Sequence, residues 1–186
     1  PVKTKDFEWN TDMTFSTNKN KLVTLSNDLY KPQNSYITSG DAQIPIYGPT
    51  HRLDVGGAIG NFWGYKVIDI DSDGKWIYED QNGNAVESKD VKIEDRKVIG
   101  NGLPKHYLGW NNDFRYKNFD LSIFFQGSYG NDIWNGVRVS HEGMESTYNQ
   151  FTSTLNRWNG EGSSNTMPRA IYADPNRNNR ASTRWV

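Results

Sequence analysis

The stretch "NDFRYKNFDLSIFFQGSYGNDIWNG", residues 112–136, constrains the fold more than any other. Its apolar residues fall in every second place, and the phase flips at Lys117-Asn118. A period of two puts successive side chains on opposite faces of an extended strand, so each run has one greasy side and one wet side. Three runs behave this way, near residues 7–16, 108–116 and 119–129. The first carries Phe7, Trp9, Thr11, Met13 and Phe15 on one side. The second carries Leu108, Trp110, Asn112, Phe114 and Tyr116, and the third Phe119, Leu121, Ile123, Phe125, Gly127 and Tyr129. These sides hold 13 apolar residues in 16 places, against 1 in 14, Phe124, on the opposite sides. Lys117-Asn118 joins the second and third runs as a two-residue hairpin turn, for which Asn118 is the residue expected to take a positive φ. "TKDFEWN" at 4–10 nearly repeats as "YKNFDLS" at 116–122, which predicts two strands leaving short turns in the same direction, as in an up-and-down meander.

The segments between these runs are long, 17–107 and 130–184, and rich in Gly, Asn, Ser and Asp. Within the first, residues 61–70 read as one short strand. Within the second, Met144, Tyr148, Phe151, Leu155 and Trp158 fall at helical spacing and predict a helix. One end of the meander therefore has tight turns and the other very large loops. That asymmetry, with runs of 9–11 residues, fits an antiparallel transmembrane β-barrel. Alternation alone leaves a soluble β-sandwich open, for example a secreted carbohydrate-binding module with an aromatic face. Composition removes other classes. Basic and acidic side chains balance, 21 against 22, which argues against nucleic acid as a partner. There is no cysteine, hence no disulfide and no thiolate chemistry. No run approaches a membrane helix, which leaves a barrel untouched. The start at Pro1 and the ending "STRWV" read as a piece of a longer polypeptide.

"DIDSDGKWIYED" sets Asp69, Asp71 and Asp73 at alternate positions before Gly74, with Asp80 twelfth. This has the opening of a calcium loop, in which carboxylates supply oxygens and a glycine makes the sharp turn. It reads equally as a solvated acidic turn. Trp63, Trp76, Trp134 and Trp158 lie in the long segments, where indoles either stack on sugars or pack a loop core. His51, His106 and His141 are scattered, without metal spacing or a nucleophile beside them, so no catalytic residue is assigned and the chain is read as a non-enzyme. "RNNR" at 177–180 reads as a solvated loop.

The block "DRKVIGNGLPKHYLGWNNDFRYKNFDLSIFFQGSYGNDIWN", residues 95–135, resembles the SusC/RagA family of TonB-linked outer-membrane transporters almost residue for residue. "VKTKDFEWNTDMTFSTNKNKLVTLS" (2–26), "GNFWGYKV" (60–67) and "MPRAIYADPNRNNRASTRWV" (167–186) are similar to its upstream strand, its aromatic-glycine turn and the loop before its next strand. The resemblance implies the C-terminal portion of an all-β barrel of about 22 strands, with the plug domain and final strands outside this sequence. Residues 17–107 and 130–184 would be extracellular loops. It also implies a Gram-negative, Bacteroidetes-type outer membrane, energy from TonB, a SusD-like lipoprotein partner, and a cargo of oligosaccharide or peptide. Phe119, Leu121, Ile123, Phe125 and Tyr129 would then meet lipid. Asp120, Ser122, Gln126 and Ser128 would meet the lumen, with Phe124 against the plug.

Overall fold

A computed structural model describes all residues except Asp28, Gln43, Ile44, Pro45, Tyr47, Pro175, Asn176 and Arg177. In chain order its strands are β1 (Val2–Lys3), β2 (Phe7–Thr17), β3 (Tyr36–Ser39), β4 (His51–Asp54), β5 (Asn61–Gly64), β6 (Val67–Ile70), β7 (Trp76–Glu79), β8 (Ala85–Glu87), β9 (Lys97–Asn101), β10 (His106–Tyr116) and β11 (Phe119–Tyr129). The helix α1 (Gly136–Glu142) follows. The described chain divides into two compact units. One comprises Pro1–Asn20 and Leu103–Asp132, the other Lys21–Gly102 and Ile133–Val186.

The first unit is an open, wholly antiparallel sheet in the order β1-β2-β10-β11. Its three long strands pair without a slip over eleven residues, from His106↔Thr17 to Tyr116↔Phe7 and from His106↔Tyr129 to Tyr116↔Phe119. The register puts Trp9, Phe114 and Leu121 in one row and Glu8, Arg115 and Asp120 in the next. The three alternations are thus in phase, and one face is apolar across all three strands. Because β2 and β11 are both antiparallel to β10, they run the same way, as the near-repeat predicts. The Lys117-Asn118 hairpin is present, but the positive φ falls on Lys117 (52°) rather than on Asn118. The turn puts its left-handed residue first, as turns that follow the strand twist do. Lys117 donates its N–H to the carbonyl of Asp6 at 2.9 Å.

The second unit holds two small antiparallel sheets, β3-β4-β5-β9 and β6-β7-β8. The long segments are therefore folded rather than a succession of turns. The expected single strand over 61–70 is two, β5 and β6, in different sheets. The break at Tyr65 is made by the C-terminal segment: Tyr65 donates its N–H to Ala181 and accepts from Thr183, 2.8 and 3.0 Å. Gly64 allows this approach, since a Cβ there would meet the Ala181 carbonyl. Two apolar clusters form the core. Tyr65, Trp76 and Tyr78 pack with Val67, Ile70, Val86 and Val91, while Ala42, Ile46, Val139, Ala181 and Trp185 pack with Trp134.

The helix expected over 144–158 does not form. The helix lies earlier, at α1, capped by the Asn135 side chain accepting from the N–H of Arg138 at 3.1 Å. Met144 then turns left-handed (φ 56°), and within 144–158 a 3-10 turn, Thr152–Asn156, is the one helical element. The intervening Ser, Thr and Asn residues compete with the helix for backbone partners. Among the described residues no helix is long and apolar enough to cross a membrane, which says nothing about a β-barrel.

Candidate functional site

The long sheet carries two chemically opposite faces. On the apolar face the rings pair along the rows. Trp9 stacks with Phe114 (centroids 5.9 Å) and Trp110 lies against Phe125 (5.6 Å). His106 sits between Phe15 (5.5 Å) and Tyr129 (6.4 Å). The middle row, Thr11–Asn112–Ile123, holds two polar residues on this face that alternation alone does not explain. Their geometry explains them. Trp9 Nε1–H donates to Asn112 Oδ1 at 3.1 Å, and Trp110 Nε1–H donates to Thr11 Oγ1 at 2.8 Å. An indole N–H with no water beside it is costly to leave unpaired, and these two acceptors remove that cost.

The opposite face is graded. Beside the Lys117-Asn118 turn it is ionic, with Arg115 Nε 2.7 Å from Asp120 and Lys3 Nζ 3.5 Å from Glu8. One row further, Asp113 accepts from Ser122 Oγ (2.5 Å) and Asn111 Nδ2 (2.7 Å). Towards the other end the charges stop. Thr14, Ser16, Gln126 and Ser128, with the rings of Tyr107 and Phe124, line an open concavity of about 640 Å³ around Gly109. Phe124 is 62% exposed here. This neutral, hydroxyl- and amide-lined end suits uncharged polar groups, while the ionic end is largely consumed by its own pairs.

The acidic stretch in the second unit resolves into two copies of one turn. Asp71 begins the β6–β7 turn: its Oδ1 accepts the N–H groups of Asp73 (2.9 Å) and Lys75 (2.8 Å), and its own N–H donates to Lys75 O (2.8 Å). Asp80 begins the β7–β8 turn with the same bonds to Asn82 and Asn84, all between 2.8 and 2.9 Å. Gly74 and Gly83 take the left-handed position in each, φ 77° and 87°. Hydrogen bonds from Asn84 hold the Asp80 carboxyl below the usual range. Asp69 is exposed, and its Oδ1 accepts from the N–H of Ile70 at 2.8 Å. Asp73 is exposed, with Lys75 Nζ at 3.7 Å. Among the described residues no three His, Asp or Glu side chains are grouped so as to hold a metal.

The four loop tryptophans pack inward. Trp76 is buried, Trp134 lies against the Trp185 cluster, and Trp63 carries the Arg52 guanidinium 4.3 Å from its ring centre. Trp158 fills the space over Gly74, where a Cβ would meet its ring at 2.5 Å. The histidines serve the same kind of packing: His51 tilts on Phe62 (4.8 Å) and His141 on Phe151 (5.1 Å).

The "RNNR" segment is not a solvated loop. Arg177 lies outside the described residues, but Asn178 and Asn179 are buried. Asn178 Oδ1 accepts the Trp76 N–H at 2.7 Å, and its carbonyl accepts the Tyr78 hydroxyl. Asn179 Nδ2 donates to Gly143 O at 2.6 Å, and Arg184 donates to Asn179 Oδ1 and Glu142 O, both at 2.8 Å. Burial pushes the Tyr78 hydroxyl far up and the Arg184 guanidinium down to about 10. Long-range partners of this kind leave no periodic signal in the sequence. The one available hint was the large apolar Trp185 directly after the polar run Ser182-Thr183-Arg184.

The chain is 31% identical, over its whole length, to TonB-dependent receptor P3 of Formosa agariphila, of which it spans 19%. It is 29% identical over 83% of its length to TonB-dependent receptor SusC of Bacteroides thetaiotaomicron, spanning 16% of that protein. A solved structure of the RagAB peptide transporter matches 91% of the chain with a TM-score of 0.72 at 17% identity, over 18% of its own chain, which shows a shared fold. No family model matches.

Proposed function

We propose, from the premise that this chain is related along its whole length to one segment of the SusC/RagA-type TonB-dependent receptors, that it forms part of the wall and adjoining loops of an outer-membrane nutrient importer. The observation that carries this reading is the two-faced sheet: three eleven-residue strands in unbroken register, apolar on one face and polar on the other. Eleven residues match the length a tilted membrane strand needs. In hydrocarbon every backbone N–H and C=O must find a partner, so the free edge of β11 requires a further strand and the sheet belongs in a closed barrel. The apolar face then meets lipid and the polar face the lumen, where Phe124 contacts a plug domain.

The chain spans about a fifth of the receptors it matches, and the remaining parts of the mechanism belong to the whole protein. In this reading TonB supplies the energy, a surface lipoprotein of the SusD kind covers the mouth, and the cargo is an oligosaccharide or a peptide. The Lys117-Asn118 turn lies on the periplasmic side, and residues 17–107 and 130–184 lie outside the cell. An epitope inserted at Gly162 of the full-length receptor is then reached by antibody on whole cells, and one at Asn118 is not. Function is tested by deleting the receptor and measuring uptake of labelled oligosaccharides and peptides. Loss of uptake of one class, restored by the receptor only where TonB is present, is expected. Unchanged uptake of both classes would remove the import reading.

A further inference from the structure

We propose that Asn159, in the loop between Trp158 and Met167, is a site of spontaneous covalent modification, at which the side-chain amide is lost and the residue becomes aspartate and isoaspartate. The inference stands apart from the import reading. Asn is a thermally labile residue. It is most labile before Gly, which has no Cβ to hinder attack by its own main-chain nitrogen. That nitrogen gives up its proton and bonds to the Asn Cγ. The Cγ–Nδ2 bond breaks, and ammonia leaves with the proton. Water then opens the five-membered imide at one carbonyl or the other, giving aspartate or isoaspartate. The sequence holds four Asn-Gly steps, at Asn82, Asn101, Asn135 and Asn159.

The fold treats these four steps differently. The reaction needs an Asn side chain free to swing onto the next residue and a glycine N–H not already given to an acceptor. Asn101 has neither: its Nδ2 donates to Ile59 O (3.0 Å) and Asn61 Oδ1 (2.7 Å), and the Gly102 N–H donates to Gly60 O at 2.9 Å. Asn135 caps α1, so its Oδ1 is held by the Arg138 N–H at 3.1 Å and its Cγ faces the first helical turn. At Asn82 the Gly83 N–H donates to Asp80 O at 3.3 Å. The Asp80 carboxylate, bonded to the Asn82 N–H at 2.8 Å, also opposes the negative charge that the attacking nitrogen must take on. Asn159 has none of these restraints. It is exposed, and neither its side chain nor the Gly160 N–H has a hydrogen-bond partner among the described residues. A Cβ built at Gly160 meets nothing within 4 Å, so the space around the attacking nitrogen is open. The product puts a new carboxylate two residues from Glu161. As isoaspartate it also lengthens the main chain of a loop closed by the Trp158 N–H on Met167 O (3.0 Å) and the Asn159 N–H on Ser163 Oγ (2.9 Å).

The test incubates the full-length receptor in mildly alkaline buffer, folded in detergent or unfolded in urea. Loss of amide at the four steps is followed with time by peptide mass spectrometry. In the folded receptor Asn159 should convert several-fold faster than Asn82, Asn101 and Asn135. In urea, where local sequence alone decides, the four rates should draw together. Equal rates in the folded receptor, a faster rate at any of the other three, or no conversion at Asn159 while it proceeds in urea would each overturn the assignment. Asn159→Gln, which can close only a less favourable six-membered ring, should abolish the conversion in the peptide from Trp158 to Arg169 and leave the other three sites unchanged. Conversion persisting in that peptide would place the reaction at Asn165 and overturn the proposal.

Discussion

The two units of this chain solve the same problem in opposite ways. In the long sheet the rings stay outside: every residue of β11 is exposed, Phe119 and Tyr129 by more than three quarters. In the other unit, short strands of three to five residues close around Tyr78 and Trp185, both fully buried. The loop unit buries its own apolar surface. The sheet leaves its apolar surface exposed. Hydrophobicity therefore has a different meaning in each. In the loop unit it is a core, and in the sheet it is an exposed face, which the membrane reading covers with lipid.

The largest effect that would sharpen this contrast is in the loop unit. Trp185→Ala removes a fully buried ring that also donates its Nε1–H to Arg180 O at 2.9 Å. Truncation of such a residue costs about 3–5 kcal/mol. Hydrogen exchange on the full-length receptor should show protection falling in peptides from β3 to β9 and α1, with β2, β10 and β11 unchanged. Equal loss in both units would mean that they do not fold as separate bodies.

A smaller effect separates the two readings of the acidic turns. Asp71 Oδ1 holds two backbone N–H groups, as a helix-capping carboxylate does. Asp71→Asn keeps that oxygen and should change stability by less than about 0.5 kcal/mol, whereas Asp71→Ala costs about 1 kcal/mol. Thermal unfolding with and without calcium is the measurement. A calcium site gives a different pattern: the ion stabilises the native protein, and Asn loses that gain as Ala does.

How much of this was legible in the sequence follows from the same contrast. The sheet could be read because a period of two, kept over three runs, fixes both the face and the register once the Lys117-Asn118 turn is set. Even its irregular member, Asn112, sits on the face alternation gives it, and only the Trp9 indole explains why it is polar. The loop unit was not legible in this way, because its order comes from contacts about a hundred residues apart. Tyr78 meets Asn178, and Val67 donates its N–H to Thr183 Oγ1 at 3.0 Å. The stripe from Met144 to Trp158 has helical spacing, but seven of the ten residues between its apolar members are Ser, Thr or Asn, which compete with the helix for backbone partners. The Asp71 and Asp80 turns share one bonding pattern, and in both a D-x-[ND]-G spacing serves a hairpin as well as it would serve a cation.

The central claim is that the apolar face of the sheet meets lipid and its opposite face does not. Leu121 and Ser122 are neighbours in β11 and point to opposite sides. In the full-length receptor, Leu121→Arg should cost about 2–4 kcal/mol and lower the amount of folded receptor in the outer membrane, because a charge is forced into hydrocarbon. Ser122→Arg, beside Asp113 on the polar face, should leave that amount near wild type. Equal levels of the two variants, or a larger loss for Ser122→Arg, would contradict the assignment of the faces.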